Sequence, residues 1–370
     1  MVLAGCVTSP AIRPDERPRL SVQQVTARIP EKVTDREGWA RDVLSALDEQ
    51  KQPADPETVC QVLAIIEQES GFQADPAVPG LAKLLRNKLD EKVEKLGPLG
   101  PPALRELLSG HAPGSKKSFE ARLGTVKTER DLDVLFRDVL ASYREKFPAP
   151  YKAIDLIGGV FDASPDDFNP VTTVGSMQVS VKFSERLARE KKRDVSQVRD
   201  ELYTRRGGVL YGSARLLGYS TAYSQPLYRF ADYNAGVYAS RNAALQDQLA
   251  KLTGLIVVPD GDLLAYDKNA NALSGETQSL GAIFAFAQQF APELSERRVR
   301  LDVQQEKTAE FENTETWRAI KRVYAQRQNT DPPYARVPEV TIRSPKMTQE
   351  RSTAWFARSV DGRFRRCLER

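Results

Sequence analysis

The chain has 370 residues, of which 41% are hydrophobic, so it can bury a large core in one domain or two. Its 54 basic and 50 acidic residues leave a formal net charge of only +4, which argues against a strong polyanion binder such as a nucleic-acid-binding protein. The single histidine, His111, and the lack of a CxxC pair argue against a histidine-based triad and a zinc site. Any chemistry is expected to use carboxylates, tyrosines, lysines or a bound cofactor.

The first residues contain Leu3-Ala4-Gly5-Cys6, which resembles the bacterial lipobox, where a signal peptidase cleaves before a lipidated cysteine. The usual charged and long apolar regions before it are absent, so a chance tetrapeptide is the alternative. A stretch rich in Thr, Ser and Pro follows, and residues 1–35 are predicted to be a flexible tether. Val7, which is not an aspartate, indicates by this resemblance the periplasmic side of the outer membrane. That compartment would allow a disulfide between Cys60 and Cys367.

Apolar periodicity beyond the tether predicts a mainly helical chain with little strand. One helix covers Trp39 to Leu47. The next begins with Asp55 as N-cap and Pro56 in the first turn, and it ends at Glu69 before Gly71. The remaining predicted elements are charged helices within 80–150, an irregular segment at 155–175, helices over 177–190, 208–217, 227–252, 280–290 and 317–327, a hairpin over 255–266, and a strand at 340–342.

Glu69 is the first candidate for chemistry. It lies three residues after Ile66 and seven after Val62, on the apolar stripe of its helix. Lost hydration and the negative end of the helix dipole would both raise the pKa of a carboxyl there. A protonated carboxyl near neutral pH is what a general acid needs. The alternative is a Glu69 that turns into solvent at a frayed helix end, while Glu67, on a different face, is interpreted as solvated or salt-bridged.

Two further segments carry polar residues at similar places. In Tyr233-Asn234-Ala235-Gly236, Asn234 falls on an apolar stripe, where a buried amide needs partners from the backbone or from a sugar. Tyr233 offers a hydroxyl that would orient a carboxylate or contact a substrate, with an ordinary core tyrosine as the alternative. In Gly175-Ser176-Met177-Gln178, the glycine permits close backbone approach, Met177 is most simply a core residue, and Gln178 could equally be an exposed helix residue.

In this order, the three segments resemble the signature motifs of the soluble-type lytic transglycosylases, in the goose-type lysozyme-like superfamily. Glu69-Ser70 matches the family's Glu-Ser pair at a helix end. The segment 175–178 matches three of the four residues of a Gly-Leu-Met-Gln turn, with Ser176 as the departure, and 233–236 matches the third motif. The resemblance covers about residues 55–75 and 165–250.

This resemblance implies a mainly α fold of the lysozyme-like α+β superfamily. Residues 36–254 would form the transglycosylase domain, interrupted by a long helical insertion at 77–160 that is expected to shape the glycan groove. Residues 255–370 would be a C-terminal extension of mixed helix and short strands, which the resemblance does not explain.

The resemblance also implies an activity, which is cleavage of the β-1,4 bond between N-acetylmuramic acid and N-acetylglucosamine in peptidoglycan. Glu69 would be the one catalytic residue, first as acid and then as base, with formation of a 1,6-anhydro ring. No metal or organic cofactor is implied. The implied substrate-binding residues are Ser70, Met177, Gln178, Tyr233 and Asn234.

The implied partners are peptidoglycan glycan strands and, through a lipid on Cys6, the membrane; no nucleic acid is expected. Two alternatives stay open from the sequence. Asp167 and Asp232 are candidate auxiliary carboxylates that would shift the reaction toward hydrolysis, as in a muramidase. A cell-wall-binding lipoprotein that acts as a non-catalytic scaffold would carry the same motifs without turnover.

Overall fold

The computed structural model describes residues 18–94, 98, 100–146, 169–267, 271–342 and 351–370. These residues divide into two compact units. Unit 1 is discontinuous and comprises residues 18–72, Val209–Ile342 and Arg351–Arg370, whereas unit 2 comprises Gln73–Gly208. The units cut across the expected domains, because residues from 255 onward fall in the same unit as the helix that ends at Glu69.

The described chain is mainly helical, which confirms the predicted mainly α class. Its strands pair as two short antiparallel hairpins, β1 (Thr173–Val174) with β2 (Val179–Ser180), and β3 (Thr341–Ile342) with β4 (Arg351–Ser352). The predicted strand at 340–342 is thereby confirmed. The α-helices in chain order are α1 (Val22–Arg28), α2 (Arg36–Glu49), α3 (Pro56–Glu69), α4 (Leu81–Glu94), α5 (Gly100–Ser109), α6 (Phe119–Leu123), α7 (Glu129–Lys146), α8 (Val181–Glu190), α9 (Val198–Leu202), α10 (Arg205–Leu217), α11 (Pro226–Ala235), α12 (Ala239–Thr253), α13 (Gln278–Phe290), α14 (Glu296–Val303), α15 (Glu315–Gln328) and α16 (Thr353–Glu369).

The flexible tether predicted for residues 1–35 is wrong for residues 18–35, which contain α1. The side chains of Leu20, Val25 and Ile29 are buried, so this segment contributes to the core of unit 1. A capping box starts the helix, with Ser21 accepting from the backbone N–H of Gln24 and the Gln24 side chain accepting from that of Ser21. Residues 1–17, and with them the lipobox cysteine Cys6, lie outside the described residues.

The hairpin predicted over 255–266 is also wrong, because all of these residues are described and they form an irregular loop. The cause is Glu306, whose fully buried carboxylate accepts from the backbone N–H of Leu263 at 2.8 Å and of Leu264 at 2.9 Å, and from the Tyr266 hydroxyl at 2.6 Å. A side chain from a distant segment thus takes the backbone donors that a partner strand would have used.

Two predicted helices have different bounds. The helix expected over 227–252 is interrupted at Gly236, where φ is 126°, and resumes after Tyr238, where φ is 62°. The helix expected from Met177 begins only at Val181, because the preceding residues form the β1–β2 hairpin. Both errors arise at the motif segments, where polar residues and glycines make turns.

Each unit has its own apolar core. In unit 1 a large cluster joins α12, α13, α14 and α15. In unit 2 a smaller cluster joins α4, α5, α6 and α7 within the segment predicted as a helical insertion. Among the described residues, no helix combines the length and the apolar character that crossing a membrane requires.

Candidate functional site

Glu69 is the last residue of α3, as predicted. The helix starts where Asp55 accepts from the backbone N–H of Thr58 at 2.7 Å, with Pro56 in the first turn. It ends because Gly71 and Phe72 both adopt positive φ values, which no helix continues. Nine successive buried residues precede the last turn, and Glu69 itself is half-buried. It is therefore neither sealed in the core nor turned fully into solvent.

Ser70 caps this helix end. It is buried, and its hydroxyl donates to the backbone carbonyl of Ile66 at 3.1 Å. Beyond it, the ring of Phe72 packs edge-on against the ring of Trp39 in α2, with centroids 5.5 Å apart. These contacts fix the chain on the C-terminal side of Glu69.

Tyr233 in α11 lies within electrostatic reach of Glu69. Burial raises the pKa of the Tyr233 phenol well above its ordinary value, and the negative charge of Glu69 raises it further. The guanidinium of Arg215, at the end of α10, acts in the opposite direction. Unit 1 thus brings the first and third motifs together, and it adds a cation that the sequence analysis did not select. The signal for Arg215 was only a basic residue in the last turn of a helix, which is common.

Asn234 is exposed, so its predicted burial on an apolar stripe is wrong. The apolar spacing of Leu227, Phe230 and Val237 forms one stripe only in a continuous helix, but α11 ends at Ala235 and the chain turns at Gly236, which moves Val237 off the helix. One hydrogen bond orients the exposed Asn234 side chain: its Oδ1 accepts from the Thr353 hydroxyl in α16 at 2.9 Å.

Asp232 has a structural role in unit 1. It is fully buried and accepts from the hydroxyls of Tyr219 at 3.1 Å and Tyr223 at 2.7 Å, and from the backbone N–H groups of Tyr238 at 3.1 Å and Ser240 at 2.6 Å. Burial raises the pKa of Asp232, and these hydrogen bonds offset part of the rise. Four donors fill the acceptor capacity of a carboxylate, so Asp232 holds the turn between α11 and α12. Asp167, the other candidate auxiliary carboxylate, lies outside the described residues.

The C-terminal helix α16 packs against both α3 and α11. A disulfide joins Cys60 in α3 to Cys367 in α16, with their Cα atoms 5.6 Å apart, and the ring of Phe364 contacts that of Phe230 in α11. The sequence is compatible with this disulfide, but no motif in it places α16 at the site. Helix α16 therefore fixes the two helices that carry Glu69 and Tyr233.

Glu67 and Gln68 face α16. The Glu67 carboxylate lies 3.9 Å from Arg363 Nε and 4.0 Å from an Arg366 guanidinium nitrogen, which confirms its interpretation as a salt-bridged residue. Gln68 Oε1 accepts from the Ser359 hydroxyl at 2.9 Å. The last turn of α3 thus uses Glu67 and Gln68 for packing.

The second motif lies in unit 2, at the turn between β1 and β2. Gly175 has a φ of 81°, and a Cβ placed there would lie 2.2 Å from the carbonyl oxygen of Leu202, so only glycine fits. Met177 is fully buried, as expected of a core residue, which removes it from direct contact with a substrate. The Ser176 hydroxyl is buried without a hydrogen-bond partner among the described residues.

Gln178 is half-buried and has a positive φ of 49°. Its Nε2 donates to Glu129 Oε2 at 3.0 Å and to the Gly175 carbonyl at 3.4 Å, and its Oε1 accepts from the Thr173 hydroxyl at 3.3 Å. Glu129 begins α7 and is only 5% exposed. No sequence motif distinguishes Glu129, because it lies within the predicted insertion among many other acidic residues.

Of the predicted site residues, Glu69, Ser70, Tyr233 and Asn234 thus belong to unit 1, whereas Met177 and Gln178 belong to unit 2. No group of three or more His, Cys, Asp or Glu side chains is placed to hold a metal ion within the described ranges.

Comparisons with known proteins identify the family of this chain. No solved structure matches the chain. The chain is 34% identical over 375 aligned residues to the "Uncharacterized protein YaiW" of Escherichia coli (strain K12), an alignment that covers 100% of this chain and 96% of that protein. A family model described as "Protein of unknown function (DUF1615)" matches residues 32–370. This match takes in both units and all the motif residues, so the chain belongs to the DUF1615 family.

Proposed function

We propose that this chain is a peptidoglycan lytic transglycosylase, lipid-anchored through Cys6 to the periplasmic side of the outer membrane. The proposal rests mainly on one observation, the electrostatic proximity of a half-buried Glu69 to Tyr233, which come from two motifs far apart in sequence. The disulfide between Cys60 and Cys367 is in keeping with an oxidising compartment.

In the proposed reaction, the protonated Glu69 carboxyl donates its proton to the oxygen that bridges N-acetylmuramic acid and N-acetylglucosamine. The bond from that oxygen to C1 of the muramoyl sugar breaks, and C1 gains oxocarbenium character. The N-acetyl group of the same sugar assists at C1. The ionised Glu69 then takes the proton of the C6 hydroxyl, whose oxygen bonds to C1 and closes the 1,6-anhydro ring. No water is consumed, and Glu69 returns to its protonated form.

Neighbouring side chains have supporting roles in this proposal. The raised pKa of Tyr233 keeps its phenol protonated, so it acts as a hydrogen-bond donor to the Glu69 carboxylate or to the acetamido group. Arg215, which lies near Tyr233, stabilises the negative charge that Glu69 acquires. Asn234 binds polar groups of the sugars, while Gln178 and the buried Met177 support the β1–β2 hairpin.

Digestion of purified peptidoglycan sacculi tests the proposal. We expect the wild-type chain to release soluble 1,6-anhydro-muropeptides, identified by mass spectrometry. Glu69→Gln should lower release by roughly 10²- to 10⁴-fold, as expected for loss of a general acid and base. Glu67→Gln is the matched control, since it makes the same chemical change two residues away and removes only long ion pairs to α16.

The other outcomes are equally informative. A Glu69→Gln variant as active as the wild type would contradict the assignment of Glu69. Products with reducing ends would show a muramidase, which contradicts the anhydro step but keeps the same glutamate. Sacculus binding without any product would contradict the enzyme and favour a cell-wall-binding scaffold.

A further inference from the structure

Unit 2 contains a cavity of about 330 Å³ beside the β1–β2 hairpin. Helices α4 and α7 form one side of it, and the chain leading into β1, from Pro170 to Thr173, forms another. Its volume is at the lower end of the range of ligand pockets, roughly 300–1,000 Å³. The apolar part of its wall includes Leu81, Leu84, Leu85 and Leu132.

One buried carboxylate interrupts this apolar wall. Glu129 lines the cavity, and its Oε2 accepts from the side-chain amide of Gln178. A carboxylate has acceptor positions for about four hydrogen bonds, and the bond from Gln178 uses one of them.

The third feature is a cation at the rim. Lys88 of α4 lines the same cavity and is itself exposed, so its ammonium group is available as a donor at the cavity mouth. The cavity therefore offers an anionic acceptor, a cationic donor and an apolar wall. An acetamido group matches all three, because it has one N–H donor, one carbonyl acceptor and one methyl group.

We propose that this cavity is a subsite for the acetamido group of an N-acetylated amino sugar. The acetamido N–H donates to the Glu129 carboxylate, the carbonyl accepts from the Lys88 ammonium, and the methyl group packs against the leucines of α4 and α7. The inference rests on the proposed function, since it names a sugar-binding role for residues of the 77–160 segment, which the lytic-transglycosylase resemblance does not cover.

Methyl NMR locates the binding. The full chain carrying Glu69→Gln is labelled at leucine methyl groups and titrated with N-acetylglucosamine, with glucose as a probe that lacks the acetamido group. We expect shifts at Leu84, Leu85 and Leu132, and none at Leu245 or Leu249 in the core of unit 1. Glucose should bind at least about tenfold more weakly, because it makes neither of the two charge-assisted hydrogen bonds.

Variants of the two charged residues test the chemistry. Lys88→Met and Glu129→Gln should each weaken N-acetylglucosamine binding by roughly three- to tenfold. Lys83→Met is the matched control, since Lys83 is an exposed lysine of the same helix that does not line the cavity. Circular dichroism verifies that each variant is folded.

Three results would overturn the subsite: no shift at the cavity leucines, equal affinity for the two sugars, or parental affinity in both Lys88→Met and Glu129→Gln. The sacculus assay separates this outcome from failure of the proposed function. Muropeptide release without cavity shifts removes the subsite and keeps the enzyme, whereas cavity shifts without muropeptide release keep the subsite and remove the enzyme.

Discussion

The disulfide between Cys60 and Cys367 allows a quantitative test of how α16 holds unit 1. The two cysteines are separated by 307 positions and are 0% and 2% exposed. For a loop of that length, loss of loop-closure entropy in the unfolded chain gives a stabilisation of about 6 kcal/mol at 25 °C. Measured values seldom exceed about 5 kcal/mol, because native strain and residual unfolded structure reduce the gain, so we expect about 2–5 kcal/mol.

The wild-type chain is unfolded and refolded either with or without reductant. The midpoint of its thermal unfolding is then measured in each condition. Reduction should lower the midpoint by roughly 5–15 °C, since each kcal/mol corresponds to about 2–4 °C for a domain of this size. The double variant Cys60→Ala, Cys367→Ala is the control, and its midpoint should not respond to reductant. Mass spectrometry of the sample without reductant verifies that the peptides of Cys60 and Cys367 are cross-linked. If the wild-type midpoints are then equal with and without reductant, the reasoning is refuted.

Three further predictions concern single side chains. Gly175→Ala should lower the free energy of unfolding by about 2–4 kcal/mol, because the added Cβ meets the Leu202 carbonyl. Gly114→Ala is the control: Gly114 has a φ of 77° but open space around it, so its loss should be only about 1 kcal/mol. Equal losses of the two variants in urea unfolding would contradict the clash at Gly175. Asp232→Asn should cost roughly 2–4 kcal/mol, since the amide cannot accept from four buried donors; a neutral effect on the thermal midpoint would contradict its role in holding the turn. Burial lowers the pKa of Lys321 from 10.5 to about 7. Between pH 7 and pH 10.5 the unfolded chain therefore binds a proton that the folded chain does not, so the free energy of unfolding should rise with pH across this window. Lys321→Met should remove that rise, and a pH profile of stability that is the same in the variant would contradict this explanation.

Local signals in the sequence predicted the parts of the site that local chemistry determines. The N-cap Asp55, Pro56 and the stop after Glu69 each act within one helical turn, and the structure has them where they were expected. The hairpin predicted at 255–266 failed because Glu306, far along the chain, takes its backbone donors. Apolar periodicity within 255–266 cannot reveal a hydrogen-bond acceptor that lies some 40 residues further along the chain.

The C-terminal part of the site was beyond prediction for the same reason. The apolar pattern of α16 does not predict that Thr353 contacts Asn234. It also does not predict that Phe364 contacts Phe230. Both pairs depend on how the helices pack in three dimensions. The burial of Asn234 was predicted wrongly because one glycine, Gly236, ends the helix two residues later. The sequence pattern thus predicted the helix that contains Asn234 but not the exposure of its side chain.

The discontinuity of unit 1 has a consequence for how the protein acquires its shape. Helix α3 meets α16 only after the intervening chain has been synthesised, whereas the partners of the helices in unit 2 are near in sequence. Long-range pairings form slowly because loop closure must come before the contacts that reward it. We therefore expect unit 2 to fold first, and we expect Glu69 and Tyr233 to come together only when α16 docks against α3 and α11.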